Sequence, residues 1–109
     1  MTEEQEFQKH AGEAMDRLYR ALSDAADDYP IEPEMDAGAI KIEFENSPAK
    51  FVVSPNAPAR QIWVSAHSRS FKLDWDPVEM TFVHSESGLT LMELMEQQIS
   101  RQLGKEVLL

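Results

Sequence analysis

The chain has no cysteine among its 109 residues. That excludes disulfides, thiolate nucleophiles and any cysteine-ligated zinc or iron–sulfur centre. It is also compatible with a reducing compartment. No apolar run approaches the ~20 residues that cross a bilayer. Targeting features are lacking too: the start, Met1-Thr-Glu-Glu-Gln-Glu, is acidic and polar, the opposite of a signal or transit peptide. Basic residues are scarce, ten Lys and Arg against twenty Asp and Glu, for a formal charge of −10. A nucleic-acid footprint needs a basic patch, so the charge argues against that class. It suits basic partners or cations. Gly-x-Ser-x-Gly and P-loop patterns are absent, as are His-x-x-x-His and Glu-x-x-His pairs. Paired carboxylates on an exposed rim have little to raise their pKa toward neutrality. The chain is therefore expected not to be an enzyme. Its length predicts a single domain over residues 1–109, and its composition a cytoplasmic protein.

What is present is strongly periodic. From about Thr2 to Asp27, Phe7, Ala11, Ala14, Met15, Leu18, Ala21, Leu22 and Ala25 recur at helical spacing. Thr2 suits the N-cap, and Glu3, Glu4 and Glu6 suit the positive end of the helix dipole. Glu13–Arg17, Asp16–Arg20 and Arg20–Asp24 are spaced as i,i+4 ion pairs. Six strands are predicted next: Ile31 to Met35 (an edge strand, because of Pro33), Ala39 to Glu45, Phe51 to Ser54, Gln61 to Ala66, Phe71 to Trp75, and Met80 to His84. Asn46-Ser47-Pro48 reads as a turn and Pro55 to Ala59 as a rigid loop. Thr90 and Glu93 form a capping box for a last helix striped by Leu91, Met92, Met95, Ile99 and Leu103. Gly104 suits its stop, and Val107-Leu108-Leu109 is expected to pack back on the helices. The histidines, His10, His67 and His84, read as structural or exposed; His10, at a polar helical position, is expected to be solvated. The whole predicts an α+β, two-layer sandwich. Its antiparallel six-strand sheet carries the N- and C-terminal helices on one face and leaves the other wet.

That architecture makes Trp63 conspicuous. Alternation sends Ile62, Val64 and Ala66 to one face and Gln61, Trp63 and Ser65 to the other. If the aliphatic set is buried, the indole lies on the open face between polar neighbours. Tryptophan is enriched at binding hot spots, which suits a partner surface. An indole half-covered by adjacent strands satisfies the same pattern, and the segment alone leaves both arrangements open. The second candidate is acidic. Asp24, Asp27 and Asp28 fall at i, i+3 and i+4, one helical turn. Glu32 and Glu34 share one side of the first strand, with Asp36 next in that alternation. Carboxylates suit hard cations and iron. With no nearby histidine, such sites are expected to be exposed and poorly selective. A solvated charged face accounts for the same pattern.

The sequence resembles the frataxin family, in particular its short bacterial members called CyaY. The resemblance rests on Gln61-Ile62-Trp63-Val64-Ser65 after Pro58-Ala59-Arg60, and on Phe71-Lys72-Leu73-Asp74-Trp75. It extends to His84-Ser85-Glu86-Ser87-Gly88-Leu89-Thr90-Leu91 with Glu93-Leu94, and to Gly38 through Glu45. It covers nearly every residue. It implies an α/β sandwich that binds iron, Fe²⁺ or Fe³⁺, weakly through surface carboxylates. It also implies docking on the cysteine desulfurase and iron–sulfur scaffold protein, as a monomer or as iron-dependent oligomers. The metal-binding positions it implies are Asp24, Asp27, Asp28, Glu32, Glu34 and Asp36. The partner surface it implies is the exposed sheet face, with Gln61 and Trp63 at its centre and Ser54 and Ser65 beside them. Tyr19, Arg20 and Ser23 stand where typical bacterial members carry acids, and Ser54 where many carry asparagine.

Overall fold

The computed structural model describes residues 1–109. The order is α1 (Glu3–Ala25), β1 (Ile31–Asp36), β2 (Ala39–Phe44), β3 (Ser47–Asn56), β4 (Gln61–Ala66), β5 (Arg69–Asp76), β6 (Thr81–His84), β7 (Leu89–Thr90) and α2 (Leu91–Leu103). The strands form one antiparallel sheet in sequential order, β1 to β7. It has seven strands where six are predicted. The seventh is two residues long, too short to leave an alternation in the sequence. Its Thr90 also caps α2: the side chain accepts from the Glu93 amide, while Glu93 reaches back to the Thr90 amide. Thr2 caps α1 through the Gln5 amide, and Gln5 completes the reciprocal box.

β3 is longer than its predicted span, because Ser47, Pro48, Pro55 and Asn56 all lie within it. Both prolines fit for one reason. β3 pairs with β2 up to Val53 and with β4 from Val52 onward, so each end of the strand has one neighbour only. A missing N–H there breaks no ladder bond on the open side. The hairpin loops hold the register. Asp36–Ala39 and Ala66–Arg69 are closed by two-residue turns whose central residues all have positive φ: Ala37 and Gly38, then His67 and Ser68. Such turns match the twist of the flanking strands. Three four-residue loops each end on a left-handed residue, Arg60, Met80 or Gly88. Met80 thus belongs to the β5–β6 turn, where its amide donates to the Asp76 carbonyl, and its side chain is exposed. The predicted Met80 start of the sixth strand is corrected to Thr81.

Twenty-three buried apolar residues form one core between the helices and the inner sheet face. α1 supplies Phe7, Ala11, Met15, Leu18, Leu22 and Ala25. The strands supply one parity only, from Ile40, Ile42 and Phe44 on β2 to Phe82 on β6. Phe7 meets Phe82 edge-on across the layers, with centroids 6.0 Å apart. Gly104 ends α2 in the left-handed region, at φ 70°. The tail returns as expected: Val107 is buried, and its amide donates to the Ser100 hydroxyl at 2.8 Å. None of the three predicted i,i+4 pairs on α1 closes. The ion pairs are Lys41–Asp36 and Arg60–Glu3. Exposed long side chains gain little from such contacts against their lost rotamer freedom.

Leu18 is fully buried where α1 crosses the sheet. Leu18→Ala is expected to lower stability by about 2–5 kcal/mol. Urea unfolding should show a lower midpoint with an unchanged slope.

Candidate functional site

The uncovered sheet face carries the second parity. Register pairs Ser54 with Trp63 and Trp63 with Lys72, so these three form one row across β3, β4 and β5. The adjacent row is Asn56, Gln61 and Asp74. On the other side of Trp63 lie Val52, Ser65 and Ser70. The predicted partner set, Ser54, Gln61, Trp63 and Ser65, therefore occupies one continuous patch. Trp63 is half-buried, and its polar neighbours hold it. Its Nε1–H donates to Gln61 Oε1 at 2.9 Å, and Gln61 Nε2 donates to Asp74 Oδ1 at 3.0 Å. The Lys72 ammonium lies 5.0 Å from the indole centroid, within cation–π range. Both arrangements left open by the sequence are thus partly realised: the ring is on the open face and partly covered there. No local pattern in the sequence marks Lys72 and Asp74. Their signal is the two-residue β4–β5 turn, which sets which residues of the two strands stand opposite one another.

The acidic candidates divide into two groups. Glu32, Glu34 and Asp36 sit on the uncovered face, because their β1 neighbours Ile31, Pro33 and Met35 pair with the inward Phe44, Ile42 and Ile40. Asp24, Asp27 and Asp28 lie instead at the end of α1, in the layer covering the opposite face. α1 stops at Ala25, but Asp27 and Asp28 continue a helical turn with amides donating to the Asp24 and Ala25 carbonyls. All six side chains are exposed. Glu32 stands directly across from Glu43, a like-charge pair that raises the negative potential of this edge. Asp36 is engaged by Lys41 at 3.1 Å. No three His, Asp or Glu side chains come together as ligands for one ion. Each group offers separate carboxylates, and water would supply most of any coordination shell.

The histidines are more tightly held than a polar helical position suggests. His10 stacks on Trp75 with centroids 3.8 Å apart and planes 12° from parallel. The predicted solvated role for His10 is corrected: α1 passes over the end of β5, and the imidazole covers one indole face. His67 reaches the Gln98 carbonyl at 3.3 Å and packs edge-on to Phe51. His84 is buried, with Nδ1 2.7 Å from the Ser87 hydroxyl. These contacts are structural.

This geometry defines a two-layer α+β sandwich with one open, polar sheet face centred on an indole. A family model described as "Frataxin-like domain" matches residues 1–105, and the chain belongs to the frataxin-like family. Two similar proteins both bear the name iron-sulfur cluster assembly protein CyaY. That of Azotobacter vinelandii is 29% identical over 97 residues, covering 87% of each chain. That of Cupriavidus pinatubonensis is 33% identical over 101 residues, covering 91% of this chain and 88% of its own. The fold is that of the frataxin from Psychromonas ingrahamii, at a TM-score of 0.76 and 18% identity, covering 98% and 97% of the two chains. No helix here is long and apolar enough to cross a membrane.

Removing the imidazole should uncover Trp75. In a Trp63→Phe background, which isolates the Trp75 signal, His10→Ala is expected to shift emission to longer wavelength. It should cost roughly 1 kcal/mol of stability, the scale of an aromatic pair.

Proposed function

We propose that this protein binds iron weakly through surface carboxylates and modulates iron–sulfur cluster assembly. It does so by docking on the cysteine desulfurase–scaffold complex, in the cytoplasm and as a monomer. One observation carries the reading: Trp63 and the acids of β1 share the same uncovered sheet face. A partner with a basic patch meets Glu32, Glu34 and Asp36 while the indole enters an apolar pocket. Charge then governs the rate of encounter, and the indole governs residence. The names borne by the similar proteins, which refer to iron–sulfur cluster assembly, support the process. The reading assigns the chain no reaction of its own. Iron is a cargo or signal, held by exposed oxygens and exchanged quickly.

A second reading has its own support. The carboxylates do not converge on a common ion position. The protein is then an acidic interaction module whose cation binding is incidental. The two readings separate on whether Fe²⁺ changes complex binding or desulfurase turnover in the presence of the protein. Under the first it changes both; under the second it changes neither.

The direct test is an anaerobic ¹⁵N NMR titration with Fe²⁺, with Ca²⁺ as the control. Broadening confined to residues 24–36, and weaker with Ca²⁺, supports iron handling there. Absence of any localised change removes it and leaves the open face as the functional surface. Trp63→Ala is expected to weaken complex binding by about thirtyfold, the scale of a ~2 kcal/mol hot spot, with iron binding unchanged. Paired reversal of Glu32 and Glu34 to lysine should weaken both. Unchanged complex affinity in Trp63→Ala refutes the anchor.

A further inference from the structure

The indole nitrogen of Trp63 is already spent inside the sheet. Gln61 stands two residues before it on the same face and directly across from Asp74. The amide of Gln61 has one orientation that serves both neighbours. Its oxygen accepts from the indole at 2.9 Å, and its nitrogen donates to the Asp74 carboxylate at 3.0 Å. Flipping the amide would set N–H against N–H and oxygen against carboxylate, two repulsions in place of two bonds. Asp74 and the indole therefore fix the same orientation of Gln61 together, and Asp74 supplies the half that does not depend on the indole. With Asp74 removed, the indole N–H alone favours that orientation, and the Gln61 side chain loses the tether that holds its oxygen at the indole.

We infer that Asp74 is a positioning residue for Trp63, acting through Gln61, and that it sets the kind of group the indole receives. This rests on the docking role proposed above. An indole whose N–H is satisfied presents its apolar perimeter to a partner. The matching group is an aliphatic or aromatic side chain, and no acceptor from the partner needs to reach Nε1. A free indole N–H would favour a pocket with a carbonyl or carboxylate, so Asp74 selects against such pockets. Asp74 itself is exposed and its carboxylate lies at the rim of the patch, so its substitution leaves the core intact.

The test follows the Trp63 Nε1–H resonance and affinity for the desulfurase–scaffold complex in Asp74→Ala and Asp74→Asn. The asparagine keeps an oxygen that accepts from Gln61 Nε2. In Asp74→Ala the indole resonance is expected to move upfield, with solvent exchange faster by about tenfold, the scale of one lost hydrogen bond. Complex affinity should fall by roughly five- to tenfold, and Asp74→Asn should recover both readouts to within about twofold. In a Trp63→Phe background, which has no N–H to orient, Asp74→Ala should cost no further affinity. An unmoved indole resonance overturns the inference. So does an equal affinity loss in the Trp63→Phe background, because Asp74 would then act on the partner directly. If the unmodified protein does not bind the complex, the docking reading fails. The indole resonance still decides by itself whether Asp74 positions Trp63.

Discussion

Strand parity governs this molecule. Both helices pack on the same side of a seven-stranded antiparallel sheet, so every strand residue faces either the core or the open surface. A slip of one residue in β4 would exchange Ile62 and Val64 for Trp63 and bury the wrong set. Two short turns with positive φ at both central positions hold the register at Asp36–Ala39 and at Ala66–Arg69. Only one of those four central residues is glycine. The left-handed backbone at Ala37, His67 and Ser68 is therefore sustained by the strands they join. His67 has a compensating contact, since its ring reaches beneath α2 to Phe51 and the Gln98 carbonyl.

The same parity gives the two tryptophans opposite fates. Trp75 is on the inner parity at the end of β5, where it packs edge-on to Phe82 at 5.3 Å and is covered by His10. Trp63 is on the outer parity, without a helix above it. Its polar atom is satisfied by Gln61 and its ring is met by Lys72. A half-buried indole with its N–H paired and its rotamer confined loses little freedom when a second surface closes over it. This lowers the ordering cost that weakens flexible contacts. Rigid support by β4 and its two flanking strands thus matters as much as the indole's size.

Much of this is legible in the sequence. Strict alternation in Gln61 to Ala66 and Ala39 to Phe44 sorted the faces, and capping residues located both helix starts. What escaped has identifiable physical causes. The ends of β3 contain Pro48 and Pro55, which local rules read as breakers; they are tolerated because each end has one paired neighbour. β7 is too short to carry a period. The His10–Trp75 stack joins residues far apart in sequence, so no local pattern marks it. The division of the acidic residues between two layers depends on the turn from Ala26 to Pro30. Within β1 the alternation is plain from the sequence, but its relation to the α1 carboxylates depends on the tertiary fold. Lys72 and Asp74 lay inside a recognised strand, and only the cross-strand register shows what they touch.

Distance then divides the open face into two zones. β1 and β4 are three strands apart, and neighbouring strands are ~4.8 Å apart, so the acidic edge lies roughly 14 Å from the indole. That exceeds the ~8 Å screening length at physiological ionic strength. The carboxylates of Glu32, Glu34 and Asp36 therefore contribute little to the field at Trp63, where Lys72 and Asp74 dominate. In the proposed role, the edge acts during approach and registers a partner's basic surface, an effect that salt weakens. The indole acts after contact, through apolar burial that salt hardly touches. A partner matched only to the edge would arrive quickly and leave quickly. One matched only to the indole would arrive slowly. In the proposed role, selectivity comes from requiring both on one rigid face, at a spacing that the intervening strands impose.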